Sequence, residues 1–158
     1  MLSFIRIAVA VASAFALVKA ETHTVHFENK CGRGTPTLVQ NGKILSTGGD
    51  FTSNGPLISA IAYLQTGNCL LNGEGCTLVE TTLVNPTSAG SGSSSDISLI
   101  PPHAFNVAAG FGYFGGCDGA GADCTSANCP TAFFQPDDTH VQVACQSNNV
   151  NLAITFCD

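Results

Sequence analysis

Eight cysteines constrain this chain more than any other feature. They are Cys31, Cys69, Cys76, Cys117, Cys124, Cys129, Cys145 and Cys157. All of them follow the opening "MLSFIRIAVAVASAFALVKA", which has Arg6 near its start, an apolar run from Ile7 to Val18, and small residues at Val18 and Ala20. That opening reads as a secretory signal over residues 1–20, cut before Glu21. Its apolar run of about 12 residues falls short of the roughly 20 that span a bilayer. No second long apolar run follows, so neither a stop-transfer helix nor a lipid-anchor tail is expected. An even number of cysteines in an exported chain reads as a disulfide framework. The spacing, C-x6-C twice and C-x4-C once, suits neither a zinc site nor a C-x-x-C redox motif. It does not choose among the many pairings that eight cysteines allow.

The expectation is therefore one secreted domain over residues 21–158. Its basic residues are Lys30, Arg33 and Lys43, against eleven acids, which leaves −8. Such a surface repels phosphate backbones and anionic membranes, so neither nucleic acid nor membrane insertion is expected. Neutral glycans and glycoconjugates remain open as partners.

Turn residues and short alternating runs place the chain in a mainly β class, as a single disulfide-stapled domain with at most short helices. "HTVHFE" (23–28) reads as a first strand, and "TLVQNGKILS" (37–46) as two strands around Asn41-Gly42. "LISAIAYLQ" (57–65) fits a helix face or a strand, and strand is preferred. "CTLVETTLV" and "DISLI" read as strands, the second stopped by Pro101-Pro102. "AFNVAAGFGYF" reads as a strand loosened by glycine. "TGGDFTSNGP", the Ser-rich stretch Thr87–Ser95 and "CDGAGADCTSANCP" read as loops, the last one stapled. "HVQVAC" and "VNLAITFC" read as a closing hairpin around Asn148-Asn149.

Two constellations carry chemistry. Glu80 lies in "LVETTLV" and Asp96 opens "DISLI". If those strands pair, the two acids flank one cleft. Two carboxylates about 5–10 Å apart are the minimum for glycoside hydrolysis. The plainer alternative is two solvated acids at strand ends. The second constellation is Phe111, Tyr113 and Phe114 among glycines, beside Asp118. An aromatic ring stacks on the apolar face of a pyranose while an acid and backbone groups meet its hydroxyls. The alternative is that Phe111 and Phe114 fill the core and Tyr113 alone is wet.

No cofactor is expected, and no metal. His23 and His26 face opposite ways on a strand, and "DGAGAD" lacks the ligand pattern of a calcium loop. No G-x-S-x-G occurs, and the sequon-like Asn85-Pro86-Thr87 is blocked by its proline.

Two resemblances add to this. "VHFENKC", "GNCLLNGEGC" before "VETTLVN", "SDISLIPPHAFNV" and a Cys-rich loop ending in "CP" resemble thaumatin-like proteins. That resemblance implies acids around a cleft associated with β-glucan binding and weak glucanase or antifungal action. Glu80 and Asp96 fall on two of the acid positions, and Pro101-Pro102 stand where the next acid is expected. It also implies the pairs Cys31–Cys157 and Cys69–Cys76. "ETHTVHFENKCGRGTPTL", "STGGDF", "SNGP", "AIAYLQTGNC" and "PDDTHVQVACQ" with "NVNLAITFC" resemble small secreted fungal proteins labelled "glycopeptide". This second resemblance implies glycan binding without catalysis. It also implies, as an alternative fold, an α+β sandwich of a sheet flanked by helices, forming a homodimer through its sheet.

The expected function is glycan binding of a lectin-like, defensive kind, leaning away from enzyme action. Tyr113, Phe114, Asp118, Glu80 and Asp96 are the binding candidates, and Glu80 and Asp96 the weak catalytic candidates. The other readings are a weak β-1,3-glucan hydrolase and an effector acting on a protein target.

Overall fold

A computed structural model describes residues 20–157. The expected signal segment, apart from Ala20, lies outside the described residues. Twelve strands form two sheets: β1 (Thr22–Asn29), β2 (Thr35–Gln40), β3 (Lys43–Ser46), β4 (Phe51–Asn54), β5 (Leu57–Gln65), β6 (Leu78–Leu83), β7 (Ser93–Ser98), β8 (Ala109–Phe114), β9 (Gly121–Cys124), β10 (Ala132–Phe133), β11 (Val143–Cys145) and β12 (Asn151–Phe156). The helical content of the described residues is one 3-10 turn, Thr139–Val141. None of their helices is long and apolar enough to cross a membrane. The mainly β expectation holds, and the alternative with helices flanking a sheet does not.

The first sheet runs β4-β1-β12-β8-β9, and the second β10-β7-β6-β5-β2-β3, with β11 also on β7. Strand alternation explains how they pack. Val25 and Phe27 of β1, Phe111 and Tyr113 of β8, and Leu152, Ile154 and Phe156 of β12 point inward from the first sheet. They meet Leu38, Leu57, Ala60, Ala62, Leu64, Val79, Leu83 and Ile97 from the second. A smaller cluster of Val39, Tyr63, Leu78 and the Cys69–Cys76 loop covers part of the second sheet's outer face.

The hairpin of β2 and β3 turns on Asn41 and Gly42, both at positive φ (51° and 71°), as a two-residue turn of matching twist requires. β5 owes its ambiguous pattern to a bulge at Ile58–Ser59, where the register with β6 shifts. The extra residue puts Leu57 and Ala60 on one face, and that spacing imitates a helix.

Several expectations need correction. The Ser-rich stretch is partly strand: buried Ser93 and Ser95 face inward on β7, with their hydroxyls bonded. β4 forms within the stretch read as loop and pairs with the edge of β1. β9 forms within the stapled loop beside β8, where Gly121 packs so closely that a Cβ would collide with the Phe111 carbonyl oxygen. The closing hairpin does not form. β11 pairs with β7 in one sheet, while β12 enters the other between β1 and β8. Each strand alternates cleanly, but alternation does not tell a strand which partner it has.

All eight cysteines are bridged: Cys31–Cys157, Cys69–Cys76, Cys117–Cys145 and Cys124–Cys129. The first two are those the thaumatin-like resemblance implies. Loop-closure entropy ranks them. Cys31–Cys157 closes 126 residues and Cys124–Cys129 only 5. The chain-entropy relation gives about 5 kcal/mol for the first and about 2 kcal/mol for the second. Replacing each pair by alanines should therefore lower the urea unfolding free energy about 3 kcal/mol more for the long loop. Equal losses would show that native-state contacts, not chain closure, set the difference.

Candidate functional site

Strand register builds the site. On the antiparallel pair β6–β7, Glu80 lies directly opposite Asp96, and Thr82 opposite Ser94. Val79, Leu83 and Ile97 go to the core, so Glu80, Thr82, Ser94 and Asp96 share the outer face of the second sheet. Cross-strand neighbours of this kind hold their Cβ atoms about 4.5–5.5 Å apart. The two acids read from the sequence as a possible pair are thus brought together.

A polar groove runs past them. One hollow of about 210 Å³ is lined by Ser59, Ile61, Thr82 and Ser94 along with Glu80, Asp96 and Gln142. A second of about 300 Å³ lies on the other side, lined by Ile100, Phe133, Pro136 and Thr139 with the same three residues. The β5 bulge opens the first hollow. Ser59 sits at φ 52°, and its N–H donates to Thr82 Oγ1 at 3.0 Å, fixing the strained backbone. The wall of the second hollow is a turn held by Asp138, whose Oδ2 accepts the Phe134 and Gln135 N–H groups at 3.0 and 3.1 Å. Those backbone bonds, the Phe134 one first, hold the Asp138 carboxyl below its usual range.

Asp96 is 7% exposed. Gln142 Nε2 donates to its Oδ2 at a long 3.5 Å, and its buried Oδ1 has no conventional donor. Burial first, then the Glu80 charge, raises Asp96 to about 7. One proton between two facing carboxyls removes most of their repulsion. With Asp96 protonated, the site offers one O–H donor beside several acceptors.

Beneath the pair, hydroxyls cross the core. Thr81 Oγ1 lies 2.7 Å from Ser95 Oγ, and Tyr113 Oη lies 3.0 Å from Ser95 Oγ while donating to the Val143 carbonyl at 2.9 Å. Tyr113 is 3% exposed and stacks edge-on against Phe111 with centroids 6.2 Å apart. Burial, with the nearby Asp96 charge adding, pushes its phenol up to about 12 against the lowering bond to Ser95. The expectation that Tyr113 offers its ring to a sugar is corrected: β8 alternation sends Phe111 and Tyr113 inward and leaves Phe114 outside, 38% exposed. Asp118 is exposed and accepts the Gly115 N–H at 2.9 Å, which shapes the turn after β8. Neither Phe114 nor Asp118 lines the groove.

Sequence reasoning missed Ser59, Gln142 and Asp138. Pro136-Asp137-Asp138 marks a turn, but nothing local marks the bonds of Asp138 back to Phe134 and Gln135. Nothing local marks Gln142, and Ser59 matters only because of a bulge set by tertiary packing.

No protein-family model matches the chain. The "Thaumatin-like pathogenesis-related protein 2" of Avena sativa is 37% identical over 91 residues. That match takes in 57% of this chain and 46% of the relative, so the chain spans about half the length of the protein it matches. The structure of the thaumatin-like xylanase inhibitor TLXI superposes with a TM-score of 0.55 at 17% identity. It covers 85% of this chain and 99% of that one. The fold is thaumatin-like, and the sequence homology is distant and partial. In this thaumatin-like sandwich the acid pair lies on the outer face of the larger sheet. The comparisons bear on the thaumatin-like resemblance and do not reach the glycopeptide one.

Two measurements follow. Asp96 holds a proton in the native state up to about pH 7, against 3.8 ordinarily. Between these values the native state binds more protons than the unfolded one, so stability falls as pH rises, and the loss is complete above about pH 7. Asp96→Asn should escape this loss and gain about 1–3 kcal/mol on wild type between pH 4 and pH 8, read from urea midpoints. A constant difference would show that Asp96 titrates normally. Tyr113→Phe should cost about 1–3 kcal/mol through the acceptor left at Val143, with the groove unchanged.

Proposed function

We propose that this is a secreted, defence-related protein that binds a neutral glycan chain in the groove beside Glu80 and Asp96 and does not cleave it. The observation that carries this reading is that Glu80 and Asp96 stand side by side on one sheet face, with Asp96 7% exposed. Retaining glycosidases set their carboxyls about 5–5.5 Å apart and inverting ones about 6.5–9.5 Å, to leave room for the anomeric carbon or a water. Cleavage needs the two carboxyls to flank the scissile bond, and a pair set side by side on one sheet face, with one member buried, does not. It suits binding instead, because a donor and several acceptors in one place match the mixed hydrogen bonding of sugar hydroxyls. Ser59, Thr82 and Ser94 extend the same chemistry along the first hollow, Thr139 along the second and Gln142 along both.

Two further facts support the reading. Four disulfides fit an oxidising extracellular setting. The similar proteins carry the names "pathogenesis-related protein" and "xylanase inhibitor". The second name favours one other reading, that the acidic groove docks on a basic segment of a secreted enzyme and blocks it. The acid pair would then meet a Lys or Arg of the target, with no catalysis in this chain.

Calorimetric titration with laminarihexaose and xylohexaose, alongside an assay for released reducing ends, separates these readings. Glycan binding should appear without product and weaken about tenfold or more in Glu80→Gln/Asp96→Asn. Product formation that is lost in the same variant would replace binding with hydrolysis. No sugar binding, together with inhibition of a xylanase, would favour the inhibitor.

A further inference from the structure

The other outer face of the sandwich holds a feature the groove does not use. Across the first sheet, His26 of β1, Ala153 of β12, Gly112 of β8 and Gly121 of β9 lie side by side in register. The middle of that row carries no side chain larger than a methyl group. Phe114 stands beside it next to Asn151, and His26 closes the far end with its Nδ1 on Asp50 Oδ1 at 2.7 Å. The result is a trough of about 410 Å³ lined by Thr24, His26, Asp50, Phe114, Asn151 and Ala153.

We propose that this trough is a second carbohydrate site, which seats a neutral pyranose with its apolar face on the Phe114 ring. Three observations point to that ligand class. No Lys or Arg lines the trough, Asp50 is engaged by His26, and the chain around it is acidic, so an anion gains nothing here while a neutral ligand can bind. The volume lies in the range of small-ligand sites. The ring stands at the end of β8 opposite Asn151 of β12 and is 38% exposed, so a ligand can reach it. Thr24 Oγ1 is already oriented by Thr52 Oγ1 at 2.9 Å, and Asn151 by bonds to Thr24 N–H at 2.8 Å and to the Phe114 carbonyl at 3.4 Å. An aromatic platform with pre-set amide, hydroxyl and imidazole groups around it matches the C–H face and the hydroxyl rim of a hexopyranose.

The two sites lie on opposite faces of one sandwich. A single copy can therefore hold two glycan chains at once and join them, without a second copy. This bridging rests on the groove reading, whereas the trough stands alone.

Backbone-amide NMR titration with laminarihexaose and cellohexaose tests both sites in one experiment, on wild type, Phe114→Ala and Glu80→Gln/Asp96→Asn. Phe114 is exposed, and thermal melting confirms that each variant is folded. We expect two separate sets of shifts, around Thr24, His26 and Asn151 and around Ser94 and Gln142. Phe114→Ala should weaken the first set about tenfold or more and leave the second. Wild type should also aggregate glucan-coated beads while monomeric by light scattering, and either variant should not. Shifts confined to Ser94 and Gln142, or trough shifts unchanged in Phe114→Ala, overturn the proposal and leave the groove reading standing. Shifts confined to the trough support it and sink the groove reading. No shifts at about 10 mM sugar overturn it outright.

Discussion

Parallel pairing of β1 with β12 sets Val25 beside Leu152 and Phe27 beside Ile154, joining the two ends of the described chain. Everything between them must close as one loop before that contact forms, and the chain entropy lost in closing it opposes the fold. Three devices offset that loss at the same seam. Cys31–Cys157 locks one end of the pair. Phe27 stacks on Phe156 inside it. At the other end a polar knot ties β1 to two distant loops. Glu21 accepts the Asn85 N–H at 2.6 Å and pairs with His23 Nε2 at 3.0 Å, while His23 Nδ1 meets the Val150 carbonyl at 2.6 Å. The Asn85 bond, before any other cause, holds the Glu21 carboxyl below its usual range. Asn149 accepts the Thr22 N–H and exchanges bonds with Asn85. Both ring nitrogens of the fully buried His23 are therefore engaged, one by each side of the seam.

That seam also fixes what the second sheet can do. With the first sheet closed, its inner face presents Phe111 and Tyr113 to β6 and β7. The Tyr113 hydroxyl reaches Ser95, one residue from Asp96, and so helps hold β7 in register. A slip of one residue would send Glu80 and Asp96 into the core and Val79 and Ile97 out. Two carboxyls facing each other are costly, and no basic residue lines the groove to relieve them. The proton that Asp96 keeps up to about pH 7 does so instead. A site that satisfies its own charge in this way suits a neutral ligand better than a bare pair of carboxylates would.

Much of this was legible where the chemistry is local. Asn41-Gly42 specifies its hairpin, Glu80 and Asp96 stand out as acids in β-branched runs, and the cysteines announce a stapled fold. What was not legible depends on partners far away in the chain. Val143–Cys145 and Asn151–Phe156 alternate like a hairpin but join different sheets, because β1 takes the place β11 would have filled. Ser93 and Ser95 have the composition of a linker, yet become strand because partners await their hydroxyls, the Val84 backbone for Ser93 and the Thr81 and Tyr113 hydroxyls for Ser95. Phe111, Tyr113 and Phe114 show the limit most simply. Composition marks all three as aromatic, and only the phase of β8 against the core decides which one meets solvent.

That phase connects the two outer faces. Sending Tyr113 inward supports the acid pair on the second sheet, and the same alternation sends Phe114 outward on the first. Glycine at 110 and 112, the other outward positions of β8, keeps the surface beside Phe114 low. At Gly110 a side chain would collide with Asp123, so that position is small for packing reasons. At Gly112 the nearest atom to an added Cβ is 4.0 Å away, so packing does not demand glycine there. A strand gives up β propensity when it keeps glycine where a side chain would fit. In a sheet face left bare by helices, what that loss leaves behind is an open floor beside the one exposed ring of β8.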